Sequence, residues 1–246
     1  MQRVLPVLLV VCAAMAGGAV HAADVVAVLG TGRVGAALGP QFARQGMRVI
    51  YGSREPDRAQ VLALVKSTAH GASAATSAVA VRDANIVVLA LPWNATEATV
   101  RGLDLADKIV IDPTNAVKMG ESHLLEMAVD TSAAELIQSW APRARVVKAF
   151  NTIGFHVMAD SQAAGGPVTV PLAGDDDAAK AKVAKIVAAM GLESVDVGPL
   201  RHARVLEAMV IVYMYPYMSG HRDQAFEFHF RKGAAPKQRG VVRPAQ

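Results

Sequence analysis

The stretch Val25–Leu38, VVAVLGTGRVGAAL, decides how the rest of the chain is read. An apolar, β-branched run stops at Gly30, and Gly32 and Gly35 follow in the spacing G-x-G-x-x-G. DVVAVL, Asp24 to Leu29, has the pattern of a buried strand. After the glycines, Ala36, Ala37, Leu38, Phe42 and Ala43 recur at helical spacing as far as Gly46, a C-cap. Each glycine has its own physical reason. Gly30 permits the tight turn out of the strand. Gly32 has no Cβ, so a pyrophosphate can approach the backbone. Gly35 lets helix and strand pack closely. The helix N-terminus offers N–H groups and the positive end of a dipole to the phosphates. Between a strand and a helix, this motif implies a dinucleotide site.

The second strand chooses the dinucleotide. Met47–Glu55, MRVIYGSRE, reads as a strand ending at Tyr51 or Gly52. An NAD-specific site places an acid there, to accept from the ribose 2′-hydroxyl. Ser53 and Arg54 stand in its place, and Glu55 is the nearest acid. A hydroxyl and a guanidinium suit a 2′-phosphate, which Arg grips through two parallel hydrogen bonds. The expected cofactor is NADP(H).

Helices and strands go on alternating. Pro56–Gly71 reads as a helix, and Asn85–Trp93, Asp107–Asn115 and Ala144–Thr152 as strands. Ser132 and Glu135 form a capping box before a further helix. Such alternation predicts a parallel sheet with helices on both faces and ligands at the carboxyl ends of its strands. Those ends carry Gly30–Gly35, Ser53–Arg54, Leu91–Trp93, Pro113–Asn115 and Phe150–Thr152. Pro167–Leu200 adds strand, helix and strand. Asp175–Asp177 stand at that helix start, where capping explains them better than a metal does. Ala203–Gly220 is a helix apolar on most faces, made for a core or a dimer contact. The expected fold is α/β: a Rossmann-type doubly wound parallel sheet, extended by a C-terminal strand-helix-strand and a terminal helix. Residues 23–233 form one NADP-binding domain, with the extension at 165–220.

The ends differ from the body. Residues 1–22 have one early basic residue, a long apolar stretch and small residues up to Ala22, which predicts a signal peptide cleaved after Ala22 and export to the periplasm. The alternative is an uncleaved inner-membrane anchor, for which Val4–Val20 is barely long enough. Cleavage leaves no stable membrane span. It also leaves no thiol, because Cys12 is the only cysteine. In the chain of 246 residues the net charge is +4, and much of the basic excess lies at Arg231, Lys232, Lys237, Arg239 and Arg243. That is a solvated tail rather than a nucleic-acid face, and residues 234–246 are expected to be disordered.

Taken together, AVLGTGRVGAALGPQFARQGMRVIYGSRE, LALPW, PLAGDDD and VDVGPL followed by ARVLEAM resemble the NADPH-dependent reductases of the deazaflavin coenzyme F-420. The cytosolic NADPH domain of six-transmembrane ferric reductases is similar. The resemblance spans about Val25 to Tyr217. It implies NADPH held by Thr31, Arg33, Val34, Ser53, Arg54, Leu91 and Pro92, with the nicotinamide near Asn115 and Ala149–Asn151. It also implies a flavin or deazaflavin acceptor ring stacked on the nicotinamide, and a homodimer through the C-terminal helix. The leader-type segment departs from the family. So do PTNAV and FNTIGF, which flank the acceptor pocket.

Hydride transfer between two such cofactors needs orientation more than acid–base groups. Asn115 and Asn151 are the candidate catalytic positions, as polar contacts to the carboxamide or the acceptor. Trp93 suits either ring stacking or packing. His156 is expected to be a bystander unless the substrate is an imine or carbonyl, as a weaker resemblance to pyrroline-5-carboxylate reductase suggests. Two non-catalytic readings also stand: an exported NADP-binding module, and an interaction protein that kept the fold without the cofactor.

Overall fold

The computed structural model describes residues 24–233 apart from 69, 122 and 232. The expectations for 1–22, a leader or an anchor, and for the tail 234–246 lie outside the described residues. β1 (Val25–Leu29) leads through the glycine turn into α1 (Arg33–Arg44). Then come β2 (Arg48–Gly52), α2 (Ala59–Thr68), β3 (Ser73–Ala75), α3 (Ser77–Arg82), β4 (Ile86–Leu89), α4 (Trp93–Arg101) and β5 (Ile109–Asp112). A small hairpin, β6 (Val117–Met119) and β7 (Leu125–Met127), precedes α5 (Ala133–Trp140) and β8 (Arg145–Lys148). The chain ends with α6 (Phe155–Ala159), β9 (Thr169–Gly174), α7 (Asp177–Ala189), β10 (Glu193–Asp196) and α8 (Ala203–Met218).

Eight strands form one sheet in the order β10-β9-β8-β5-β4-β1-β2-β3. Strands covered on both faces read as continuous apolar runs, and β1 and β4 are buried almost throughout. Alternate residues serve opposite faces. Val26 and Val28 pack with Leu38 and Phe42 of α1, whereas Ala27 and Leu29 pack in a second core with Leu89 and Ile137.

The expected α/β fold is found, with differences. β3 to β8 of the sheet are parallel neighbours, but β9 runs antiparallel to β8, and β10 is parallel to β9. A parallel return needs a crossover that spans the sheet. α6, with five residues, reaches only about 7.5 Å at 1.5 Å per residue. Asn85–Trp93 is not one strand. β4 stops at Leu89, and Pro92, at φ −62°, caps α4. The anticipated caps do form. Ser132 Oγ accepts from Glu135 N–H at 3.2 Å, and Asp176 accepts from Ala179 N–H at 2.7 Å.

A buried ionic cluster fastens α8 to the sheet. Lys148 Nζ, at the end of β8, lies 2.5 Å from Asp112 Oδ2 and 2.8 Å from Glu207 Oε1, and donates to the Thr114 carbonyl at 2.7 Å. All three side chains are 0% exposed. Glu207 also accepts the N–H groups of Ala116, Ala133 and Ala134. Removing the cation leaves two carboxylates buried without it. Lys148→Met is therefore expected to destabilise the fold by about 3–5 kcal/mol, the cost of breaking a buried pair. Urea unfolding checks this, and a loss below about 1 kcal/mol would show that the charges are not coupled.

Candidate cofactor site

The turn after β1 is built from close contacts. Gly30 sits at φ +103°, and a Cβ there would lie 2.2 Å from the Ala90 carbonyl oxygen. A Cβ on Gly35 would lie 2.0 Å from the Gly30 carbonyl oxygen. Gly32 is different: nothing stands within 4 Å of where its Cβ would be. It is also the N-cap of α1, and no side chain caps that end. The first N–H groups of α1 therefore face the open space above Gly32 and suit an anion.

A cleft of about 690 Å³ opens there, along the carboxyl ends of β1, β2 and β4. Gly30, Thr31, Gly32, Ser53, Arg54, Leu91 and Pro92 all line it. Ser53 Oγ accepts from Glu55 N–H at 3.1 Å and keeps its own proton to donate. Arg58, Ser77 and Asn94 also line the cleft, and sequence reasoning missed them. Arg58 follows Arg54 by four residues, a spacing that would have flagged a second guanidinium. Neither Arg54 nor Arg58 has an ion pair among the described residues. The charge needed for a 2′-phosphate is thus at hand, and so is the room for a pyrophosphate at Gly32. The residues present fit NADP(H).

Arg33, Val34, Gly35 and Ala149 do not line the cleft. The Arg33 guanidinium lies 5.3 Å over the Phe155 ring, Val34 packs on the core, and Gly35 and Ala149 are buried. Trp93 stacks on Trp140 at 5.7 Å.

Farther along the sheet edge the two asparagines meet. Asn115 Nδ2 donates to the Asn151 carbonyl at 3.2 Å. Asn151 Nδ2 donates to Asn115 Oδ1 at 3.0 Å and to the Leu206 carbonyl at 2.8 Å. Neither asparagine lines the cleft. Both amide protons of Asn151 are engaged, while its Oδ1 is buried without a partner, so Asn151 can only accept there. The residue before it, Phe150, is fully buried at φ +64°, a left-handed conformation that costs an aromatic residue about 1–3 kcal/mol.

Residues 25–116 match the family model described as NADP oxidoreductase, coenzyme F420-dependent. The F420-dependent NADP reductase of Methanothermobacter marburgensis is 31% identical over 198 residues, covering 74% of this chain and 87% of that protein. Metalloreductase STEAP3 of Rattus norvegicus is 30% identical over 186 residues, 75% of this chain and 36% of that protein. A crystal structure from Arthrobacter sp. FB24, of a protein assigned but not shown to be an F420-dependent NADP-reductase, superposes with a TM-score of 0.74 at 29% identity, covering 83% of this chain and 99% of that one. With the cleft and its two guanidinium groups, these likenesses place the chain in the coenzyme F420-dependent NADP oxidoreductase family, as an NADP-dependent oxidoreductase.

Proposed function

We propose that the chain uses NADPH to reduce a flavin or deazaflavin ring laid against the nicotinamide. One observation carries the reading. The unpartnered Asn151 Oδ1 lies at the end of β8, on the same sheet edge as the phosphate cleft, and is fixed by Asn115 and α8. NADPH supplies the hydride when bound, and the chain supplies placement. Ser53, Arg54 and Arg58 hold the 2′-phosphate end, the first turn of α1 faces the pyrophosphate, and Asn151 accepts from the carboxamide.

The same reading pairs two copies through α8. Its Leu206, Val210 and Tyr213 are buried, while Val205, Val212 and Tyr215 are 65%, 57% and 56% exposed. Among the described residues no helix is long and apolar enough to cross a membrane. Export rests on the residue pattern of 1–22 alone.

Three measurements test these points. The first is titration with NADPH and NADH, followed by fluorescence. NADPH should bind tighter by about 1.5–3 kcal/mol, the range for hydrogen bonds to charged groups. Arg54→Ala should remove most of the difference, and Gly32→Val should abolish binding while thermal unfolding stays cooperative. Equal affinities in the wild type would rule out the 2′-phosphate site. The second is turnover. NADPH should reduce FMN or coenzyme F-420, and Asn151→Ala should lower kcat by roughly 10²-fold, the effect of an ångström of misplacement, with a smaller loss of NADPH affinity. A loss of NADPH affinity with kcat unchanged would assign Asn151 to binding alone. The third is intact mass with light scattering on protein expressed in a Gram-negative host. A periplasmic dimer starting at Ala23 is expected, and a full-length membrane-held product or a monomer would overturn export or pairing respectively.

A further inference from the structure

The stagger of β9 sets where the last described residues lie. In the antiparallel pair with β8, Ala173 stands opposite Lys148 and Gly174 opposite Val147. Thr169–Leu172 therefore run beyond the end of β8, on the side of the sheet where Asn151 stands. β10 follows in parallel register, with Glu193 beside Thr169. Residues 225–231 form a strap against this raised edge. Thr169 N–H donates to the Phe228 carbonyl at 2.9 Å, and Phe230 N–H donates to Thr169 Oγ1 at 2.9 Å. Phe226 and Phe228 pack against the Tyr213 ring of α8. The strap thus brings Glu227 to the cofactor edge.

Glu227 meets two groups there. Tyr213 O–H donates to its Oε1 at 3.0 Å, and His156 Nε2 lies 3.4 Å from the same oxygen. Its Oε2 is buried without a partner. Burial pushes the Glu227 carboxyl above the usual carboxylate range, with Tyr213 and His156 pulling it back. Burial, and then the charge of Glu227, push the Tyr213 hydroxyl up. The imidazole folds back over Gly154, where a Cβ would lie 2.5 Å from Nδ1. Glycine at 154 therefore lets the ring reach back toward the turn that carries Asn151. On its other side the ring meets Phe155 edge-on at 6.0 Å, and Phe155 lies under Arg33 at the first turn of α1. The charged and titratable groups around His156 are thus Glu227, Tyr213 with Tyr217 beside it, and Arg33 across Phe155. His156 stays 43% exposed.

An imidazole held by a half-buried carboxylate, yet open on one side at the sheet edge that carries Asn151, can hold and release a proton. We propose that His156, paired with Glu227, is the acid that protonates the acceptor ring. This rests on the reductase reading above. His156 gives its proton to a ring nitrogen of the acceptor as the nicotinamide C–H bond breaks and its electron pair enters that ring. The acceptor gains a hydride and a proton, NADPH is oxidised to NADP⁺, and water returns a proton to the imidazole. Glu227 and Tyr213 act as positioning residues.

The test uses the mature protein with His156→Gln and Glu227→Gln. Without cofactor, the Glu227 carboxyl titration followed by ¹³C NMR should move to higher pH in His156→Gln, because a neighbouring cation is lost. An unmoved titration overturns the pairing. With NADPH and either FMN or coenzyme F-420, His156→Gln should lower kcat 10²- to 10⁴-fold, the usual worth of a placed acid. NADPH affinity should be unchanged, and added imidazole should restore part of the rate. Wild-type kcat should fall as pH rises, and in His156→Gln this dependence should flatten. Glu227→Gln, which keeps an acceptor for Tyr213, should give a smaller loss with a shifted pH profile. His156→Gln at the wild-type rate overturns the acid and leaves the reductase reading intact. A wild type that binds NADPH and reduces neither ring overturns both.

Discussion

The Lys148 ammonium is the point on which the Asn115 and Asn151 end of the sheet hangs. Taking such an ion out of water costs several kcal/mol unless every partner is in place. Here two carboxylates and a carbonyl surround it. Asp112 turns its other oxygen to Thr114, accepting from N–H at 2.8 Å and from Oγ1 at 2.6 Å. Glu207 reaches the first N–H groups of α5, whose positive dipole end offsets the surplus negative charge. One cluster thereby fixes the loop carrying Asn115, the start of α5 and the middle of α8. Leu206, which receives the Asn151 amide, is the neighbour of Glu207. The geometry of the two asparagines is therefore set from below by charge.

The two ends of the cofactor site are physically different. The 2′-phosphate end is open and cationic, with Arg54 and Arg58 exposed. The end that carries Asn115 and Asn151 is more buried and held by hydrogen bonds, and it includes the strained backbone of Phe150. The open end matches selection by charge, and the hydrogen-bonded end is the one suited to holding a group in a fixed place.

Much of the frame was legible because fully buried parallel strands leave unbroken apolar runs, and because the glycine turn has few other uses. β3, α3 and α4 were not legible. They are short, and their residues are small or mixed, with little periodicity to read. Ser77 and Asn94 were missed with them, since both stand on those helices. Ser53 and Arg54 could be found because they follow a strand directly. The ionic cluster depends on packing between segments far apart in the chain. Its only trace in the sequence is a lone lysine in a buried strand and a lone acid in an apolar helix. The reversal at β9 was invisible for a similar reason: it follows from how little of the connection becomes helix. His156, read as a bystander, gained its partner only when the strap folded back.

The three glycines of the opening turn do not carry equal information about the history of this chain. Packing alone forbids any other residue at 30 and 35, so a protein that had given up nucleotides would still keep both. Position 32 is free of that constraint: its φ of −77° suits any residue, and a side chain there would meet only open space. At a helix N-cap, folding by itself prefers serine, threonine, aspartate or asparagine to glycine. Position 32 is thus the one of the three whose glycine the fold does not require, and its open space is room for whatever comes close to the helix end.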